Sequence, residues 1–163
     1  MTRPEAYADL VLRPAVAEDA TEVVEVHLRA RREAERLGHM PTGIHADDEV
    51  RAWLTGRLAV DETWVAEVDA TVAAYARFTP TWLDDLYVDP GRQGQGLGSA
   101  LLALVASLRP DGFALWVFET NVPAQRFYAR HGLVVTERTD GSGNEERAPD
   151  LRMEWSGTRV GRS

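Results

Sequence analysis

The stretch VDPGRQGQGLGSALL, from Val88 to Leu102, sets four glycines (Gly91, Gly94, Gly96 and Gly98) within eight residues. An alternating, strand-like segment precedes it and an apolar run with helical spacing follows. Neither period continues through so many glycines, so the chain has to turn there from a strand into a helix. A helix start exposes backbone N–H groups that lack an intrahelical acceptor, at the positive end of the macrodipole. Glycine removes the Cβ that would keep a ligand away from such a backbone. Gln93–Ser99 therefore reads as a nest for a phosphate or another oxyanion, with more glycine than a simple turn requires.

The rest of the chain supplies elements around that turn. Residues 10–14 read as a short strand ended by Pro14, and 16–38 as a helix closing at Gly38, with Val23, Val26, Ala30, Ala34 and Leu37 on one face. Its cap position near Val16 is poor, and Glu18 and Asp19 compensate at the positive end of the dipole. A loop at 39–45 leads to a second short helix, then to strands 62–68 and 71–78 joined by an Asp-Ala turn, a hairpin signal. Strand 83–88 alternates, so that Leu83, Asp85 and Tyr87 are expected on one face and Asp84, Leu86 and Val88 on the other. Leu97, Ala100, Leu101, Leu104, Val105 and Leu108 mark the buried stripe of the helix after the glycines. GFALWVFE (112–119) reads as a central strand covered on both faces, Asn121–Gly132 as a helix, and 133–138 and 151–156 as two last strands. The expected fold is mixed α/β in a single domain over residues 1–163, with 1–8 and 157–163 as loose tails. Its mixed central sheet has about six to seven strands flanked by about four helices.

Composition narrows the ligand. The net charge of −8 disfavours a nucleic-acid surface, and all 18 basic residues are arginine. A P-loop needs G-x-x-x-x-G-K-[ST], which a chain without lysine cannot provide. A dinucleotide fingerprint wants Gly or Ala where Ser99 stands, and lies in the first strand–helix unit instead of beyond mid-chain. With no cysteine there is no disulfide, thiolate nucleophile or Cys-ligated metal, which fits a cytoplasmic protein. No signal-peptide core and no membrane-length apolar run is present, so no membrane partner is expected.

Two signatures resemble the GNAT superfamily of acyl-CoA-dependent N-acyltransferases. One is Q/R-x-x-G-x-G/A after a strand, here Gln93-Gly94-Gln95-Gly96-Leu97-Gly98 behind LYVDP. The other is NVPAQRFYARHGL, with Asn121, Ala124, Phe127, Tyr128 and Gly132 in the family's places. The resemblance is close over 83–135 and extends through element order to roughly 10–156. It implies acetyl-CoA as co-substrate and no metal. The backbone of Gln93, Gly94, Gln95, Gly96, Leu97, Gly98 and Ser99 would hold the pyrophosphate. The pantetheine arm would lie between splayed parallel strands, paired with Leu86 and Val88 and flanked by Asn121, Ala124 and Tyr128.

Acyl transfer from a thioester to an amine needs a base for the amine, a donor for the thioester oxygen and an acid for the leaving thiolate. The resemblance makes Tyr128 the acid and the Val88 N–H the oxygen's donor. The base is open among Asp84, the weaker candidate Asp85, and His45 if the loop at 39–46 covers the acceptor. The isolated histidines otherwise read as surface residues. Trp53, Trp82 and Trp116 are candidates for the wall of an acceptor pocket, or for ordinary core packing. The reaction expected is acetyl transfer to a primary amine of a small molecule or peptide, without a covalent enzyme intermediate. A non-catalytic coenzyme A-binding module and a dinucleotide binder are the alternatives. The sequence leaves a homodimer open.

Overall fold

A computed structural model describes residues 9–158; the whole of the first expected tail, 1–8, and the outer part of the second, 159–163, lie outside the described residues. At the inner edge of the second, the Thr158 N–H donates to the Pro110 carbonyl at 3.0 Å. The elements run β1 (Leu10–Pro14), α1 (Ala20–Arg36), α2 (Asp47–Leu58), β2 (Glu62–Val68), β3 (Thr71–Phe78), β4 (Leu83–Val88), α3 (Leu97–Leu108), β5 (Phe113–Phe118), α4 (Val122–Arg130), β6 (Val134–Thr139) and β7 (Asp150–Trp155). The strands form two sheets, β1-β2-β3-β4 and β5-β7-β6.

Local chemistry explains most element ends. Val16 offers no cap for the helical turn it precedes; instead the Asp19 carboxylate accepts the Val16 N–H at 2.8 Å and is held by Arg13 at 2.7 Å. Asp69 and Ala70 both take positive φ, 51° and 60°, the backbone of a two-residue hairpin loop whose twist suits the strands it joins. Asn121 caps α4 by accepting the Ala124 N–H at 3.3 Å, with Pro123 in the first turn, where its missing N–H costs nothing.

All strand pairs within the two sheets are antiparallel. Strands β4 and β5 run parallel and touch through one bridge, Trp82 to Ala114, at the start of β4. Beyond it they splay apart. Among the described residues neither sheet holds a run of parallel strands, the frame a doubly wound dinucleotide fold needs, which disfavours that alternative. Strand β5 is the edge of its own sheet and is not covered on both faces: Leu115 and Val117 are buried, while Trp116 is 45 % exposed.

The first sheet is covered on both sides. Its one face packs Ala66, Ala74, Ala76 and Phe78 against Leu97, Leu101, Leu102 and Val105 of α3, together with Leu115, Leu151 and Met153 from the second sheet. Its other face packs Val65, Val72 and Tyr75 against Val23, Val24 and Val26 of α1 and Leu54 of α2. Two expected stripes shift as a result. Leu37, past the end of α1, is exposed, whereas Val24, His27 and Leu28 are buried. On α3, Leu108 is exposed and Leu102 is buried, because both sheets press on this helix and widen its buried arc.

The expected alternation of β4 is also corrected. Arg77 pairs with Asp85 and Phe78 with Leu83, which leaves Asp84 as the extra residue of a bulge. Leu83 therefore joins Leu86 and Val88 in the core beneath α3, and Asp84 does not share their face. Asp85 and Tyr87 point to the α1 side.

Candidate active site

The site grows from the gap between β4 and β5. The Asp89 N–H bonds the Ala73 carbonyl at 2.8 Å, which makes the opposed Ala74 and Val88 a non-hydrogen-bonded pair. The N–H and C=O of Val88, and of Leu86 two residues earlier, consequently point away from β3 and into the gap. Helix α4 roofs the gap. A crevice of about 100 Å³ lies there, lined by Asp84, Leu86 and Tyr87 of β4, by Trp116 and Val117 of β5, and by Asn121, Ala124 and Tyr128. Burial pushes the Tyr128 hydroxyl well above the usual phenol range, with the charges of Tyr87 and Asp85 adding to the shift, so it keeps its proton at neutral pH.

At the end of β4 the chain makes a helical turn at Pro90–Arg92, where the Asp89 side chain accepts the Gly91 N–H at 3.1 Å. Arg29 of α1 grips the same carboxylate at 2.5 Å. Gly94 and Gly96 then take φ of 79° and 78°, left-handed backbone that only glycine adopts without cost. Gly96 is the residue before α3, no side chain caps that helix, and its first internal bond is Ala100 N–H to Gly96 O. The N–H groups of Leu97, Gly98 and Ser99 thus have no acceptor within the helix, the arrangement that binds a phosphate. Gly98 has a packing role as well: a Cβ there would sit 3.4 Å from the Phe127 ring.

On the α1 side lies a second cavity of about 830 Å³, walled by α1, α2, the loop between them, β4, β5 and the β6–β7 loop. Asp84, Tyr87, Trp116, Phe118 and Met40 belong to both cavities and form the place where they meet. Carboxylates outnumber arginines on the wall of the larger one, and Trp53 and Trp116 add aromatic surface. The β6–β7 loop is tied across its mouth: Glu146 pairs with Arg31 at 3.1 Å, and Glu145 meets His45 at 3.1 Å, whose other nitrogen meets Glu49 at 3.2 Å. These two carboxylates raise the pKa of His45, Glu145 more than Glu49. Asp84 keeps access to solvent, and partial desolvation by the cavity walls is the main cause of its raised carboxyl pKa, with Arg77 opposing and Asp85 and Asp61 adding.

Beneath the cavity floor runs a chain of buried polar groups. His27 Nδ1 and the Tyr75 oxygen are 2.7 Å apart, and Tyr75 O–H donates to Asp85 at 3.0 Å. Arg77 donates to Asp85 at 2.8 Å and to Asp61 at 2.6 Å, and Arg57 closes on Asp61 at 2.7 Å. Burial lowers the pKa of His27 and raises that of Tyr75, so both are neutral near pH 7.

The sequence model of the Acetyltransferase (GNAT) family matches residues 21–133. The chain belongs to the GNAT acetyltransferase family. It is an acyltransferase, and its expected mixed α/β fold is the one found. A peptidyl-lysine N-acetyltransferase of Salmonella typhimurium, YjaB, is 35% identical over 78 residues, a match spanning 47% of this chain and about half, 53%, of that protein. An uncharacterised N-acetyltransferase of Archaeoglobus fulgidus is 29% identical over 149 residues, covering 82% of this chain and 99% of that one. Among solved structures, the PaiA N-acetyltransferase of Thermoplasma acidophilum in complex with coenzyme A superposes with a TM-score of 0.70 at 19% identity, over 91% of this chain and 99% of that one.

Within this GNAT fold, the residues singled out from the sequence fall in three places. Leu86, Val88, Asn121, Ala124 and Tyr128 surround the crevice or its edge, and Gln93–Ser99 form the loop and start of α3. Asp84, His45, Trp53 and Trp116 line the larger cavity. Trp82 does not line it; it stacks on Trp116 with ring centres 6.2 Å apart, and the Arg152 guanidinium lies 4.9 Å from its ring centre. Asp85, the weaker candidate for the base, is buried and ion-paired with Arg77. His27, expected at the surface with the other isolated histidines, is 7% exposed. His27, Tyr75, Arg77 and the Glu145–Glu146 pair were missed by sequence reasoning. The available signals were a histidine on the valine face of α1 and a lone arginine inside the apolar strand VAAYARF, two residues from a tyrosine.

Proposed function

We propose that this protein moves an acetyl group from acetyl-CoA directly to a primary amine, in one domain, in the cytoplasm. One observation carries the reading: the crevice beside Tyr128 and the carboxylate-rich cavity on the α1 side meet at Asp84 and Tyr87. A donor and an acceptor can each approach from its own side and react where Asp84 stands.

Coenzyme A would supply the activated acetyl thioester. The free N–H groups of Leu97, Gly98 and Ser99 suit its pyrophosphate, and the outward backbone of Leu86 and Val88 suits its pantetheine amides. The Val88 N–H would stabilise charge on the thioester oxygen. The raised carboxyl pKa of Asp84 makes it a better proton acceptor than an ordinary aspartate, and we assign it the proton shed by nitrogen at the junction. Tyr128, held protonated by burial, would give its proton to the departing thiolate. Excess carboxylates and the Trp53 and Trp116 surfaces favour a cationic acceptor, either a small amine or a lysine side chain of the kind named for the Salmonella relative.

The experiment is a melting comparison of the purified protein with acetyl-CoA, NAD or ATP, followed by thiol release with a panel of amines. At 100 times its dissociation constant a ligand adds about 2.7 kcal/mol, an easily seen shift. A shift with acetyl-CoA alone, and thiol release with an amine, are expected. A shift with NAD alone would overturn the reading.

A further inference from the structure

The net reaction takes two protons from an ammonium nitrogen and returns one to sulfur. An entering ammonium must lose the first before it can attack, and the nitrogen loses the second once it is acylated. Asp84 sits at the junction, where it can serve the second event. The first occurs inside the acceptor cavity, and the group that opens on that cavity with an unused lone pair is His27.

The tautomer of His27 follows from its partners. Asp85 Oδ2 accepts from the Arg77 guanidinium at 2.8 Å and from Tyr75 at 3.0 Å, so the single proton of the Tyr75 hydroxyl is committed to it. The Tyr75 oxygen must then accept at its 2.7 Å contact with His27, which places the imidazole proton on Nδ1. Nε2 is left with a lone pair. The ring is 7% exposed, lines the cavity wall, and has no partner at Nε2 among the described hydrogen bonds. The ring is also fixed in place, edge-on to Tyr87 with centroids 4.8 Å apart.

We propose that His27 Nε2 takes the first proton from the acceptor ammonium, and that Asp85 stabilises the resulting imidazolium through Tyr75. The N–H bond of the ammonium breaks, its electron pair stays on nitrogen for the attack, and the proton forms the Nε2–H bond. His27 then returns that proton to water in the cavity. The arrangement resembles an aspartate–histidine pair with a tyrosine hydroxyl inserted, so that His27 is the catalytic group and Tyr75 and Asp85 are positioning residues. Burial is the main brake on the basicity of His27; among the charges facing it, Asp85 from β4 favours protonation, and Arg31 from α1 and Arg77 from β3 oppose it. Asp84 and Tyr87 from β4, and Asp47 and Glu49 from α2, share the cavity wall with it. The inference rests on the transferase reading above.

The test is the pH profile of kcat/KM for His27→Gln and Tyr75→Phe, with acetyl-CoA and either Nα-acetyl-lysine amide or tryptamine, whichever wild type turns over faster. At pH 7, His27→Gln should lose about a hundredfold. The loss should shrink as pH approaches about 10, where the amine arrives already deprotonated. Tyr75→Phe should lose about tenfold at pH 7 by the same route, a smaller general-base effect. KM for acetyl-CoA should hold in both. A loss equal at every pH, or no loss at pH 7, would overturn the proposal. Nitrogen-15 spectra of the imidazole give a readout independent of turnover: a proton on Nδ1 is expected, and one on Nε2 would overturn it. If acetyl-CoA causes no melting shift and neither amine reacts with wild type, the transferase reading itself has failed.

Discussion

The two faces of the four-stranded sheet are built from different material. The face under α3 is apolar at its centre, with Ala66, Ala74, Ala76, Phe78, Leu83 and the buried side of α3, and carries charge at its rim, where Arg109 pairs with Glu62 at 2.9 Å. The face under α1 mixes Val65, Val72, Val23 and Val26 with Tyr75, Arg77, Asp85 and His27, all buried. The first kind of core depends on volume and is indifferent to pH. The second holds charges that are tolerable only while each keeps its partner. The difference follows the location of the cavities. The polar face is the floor of the larger cavity, and the apolar face backs α3.

Removing one partner on each face would sharpen this contrast. Asp85→Ala leaves Arg77 with Asp61 alone and the buried Tyr75 hydroxyl without its acceptor, and should cost about 3–5 kcal/mol in a urea titration. Leu101→Ala on the apolar face should cost about 2–5 kcal/mol, set by how far the cavity collapses. Replacing Asp85 and Arg77 together by apolar residues should recover much of the first loss, whereas no second substitution near Leu101 of similar size would do so unless it refilled the volume. Full additivity of the Asp85 and Arg77 losses would break the comparison.

Smaller effects are expected at the loop. Gly96→Val forces a β-branched residue to φ of 78° and should cost about 1–3 kcal/mol. Coenzyme A affinity should fall with it by about tenfold or more. Unchanged affinity by calorimetry would remove the loop from the binding site.

The smallest effects separate two histidines by sign. His27 has a lowered pKa, so the unfolded chain binds its proton first, and this contribution to stability is lost as pH drops below about 6.5. His45 has a raised pKa, so its contribution is complete below about 6.5 and is lost as pH rises through the raised value. Protection of the 140–149 loop from proteolysis should therefore be greater at pH 5.5 than at pH 8.5, and His45→Gln should abolish that difference. Equal cleavage of the wild type at both pH values would show that the His45 bridges do not hold the loop.

Strand ranges at 10–14, 62–68, 71–78 and 83–88 were legible because period and turn residues are local. The glycine turn was legible for the same reason, since Gly94 and Gly96 announce a left-handed backbone. The α4 signature pointed to Tyr128 because Asn121 caps the helix and Gly132 follows its end, fixing which residues share a face. The bulge at Asp84 was not legible. It arises from the pairing of Phe78 with Leu83, two chain segments that periodicity treats separately, and it reversed the face expected for Leu83. The role of Asp85 was hidden with it.

The sequence alone determined the glycine turn of this GNAT acetyltransferase, because backbone N–H groups at such a turn are specified by neighbouring residues. Only the tertiary structure decided what lines the larger cavity and what lies beneath it. His27, Tyr75, Asp85, Glu145 and Trp116 come from five separate stretches of chain, and burial and their contacts with one another decide what each can do. Burial and mutual distance arise from packing, and no local pattern encodes them.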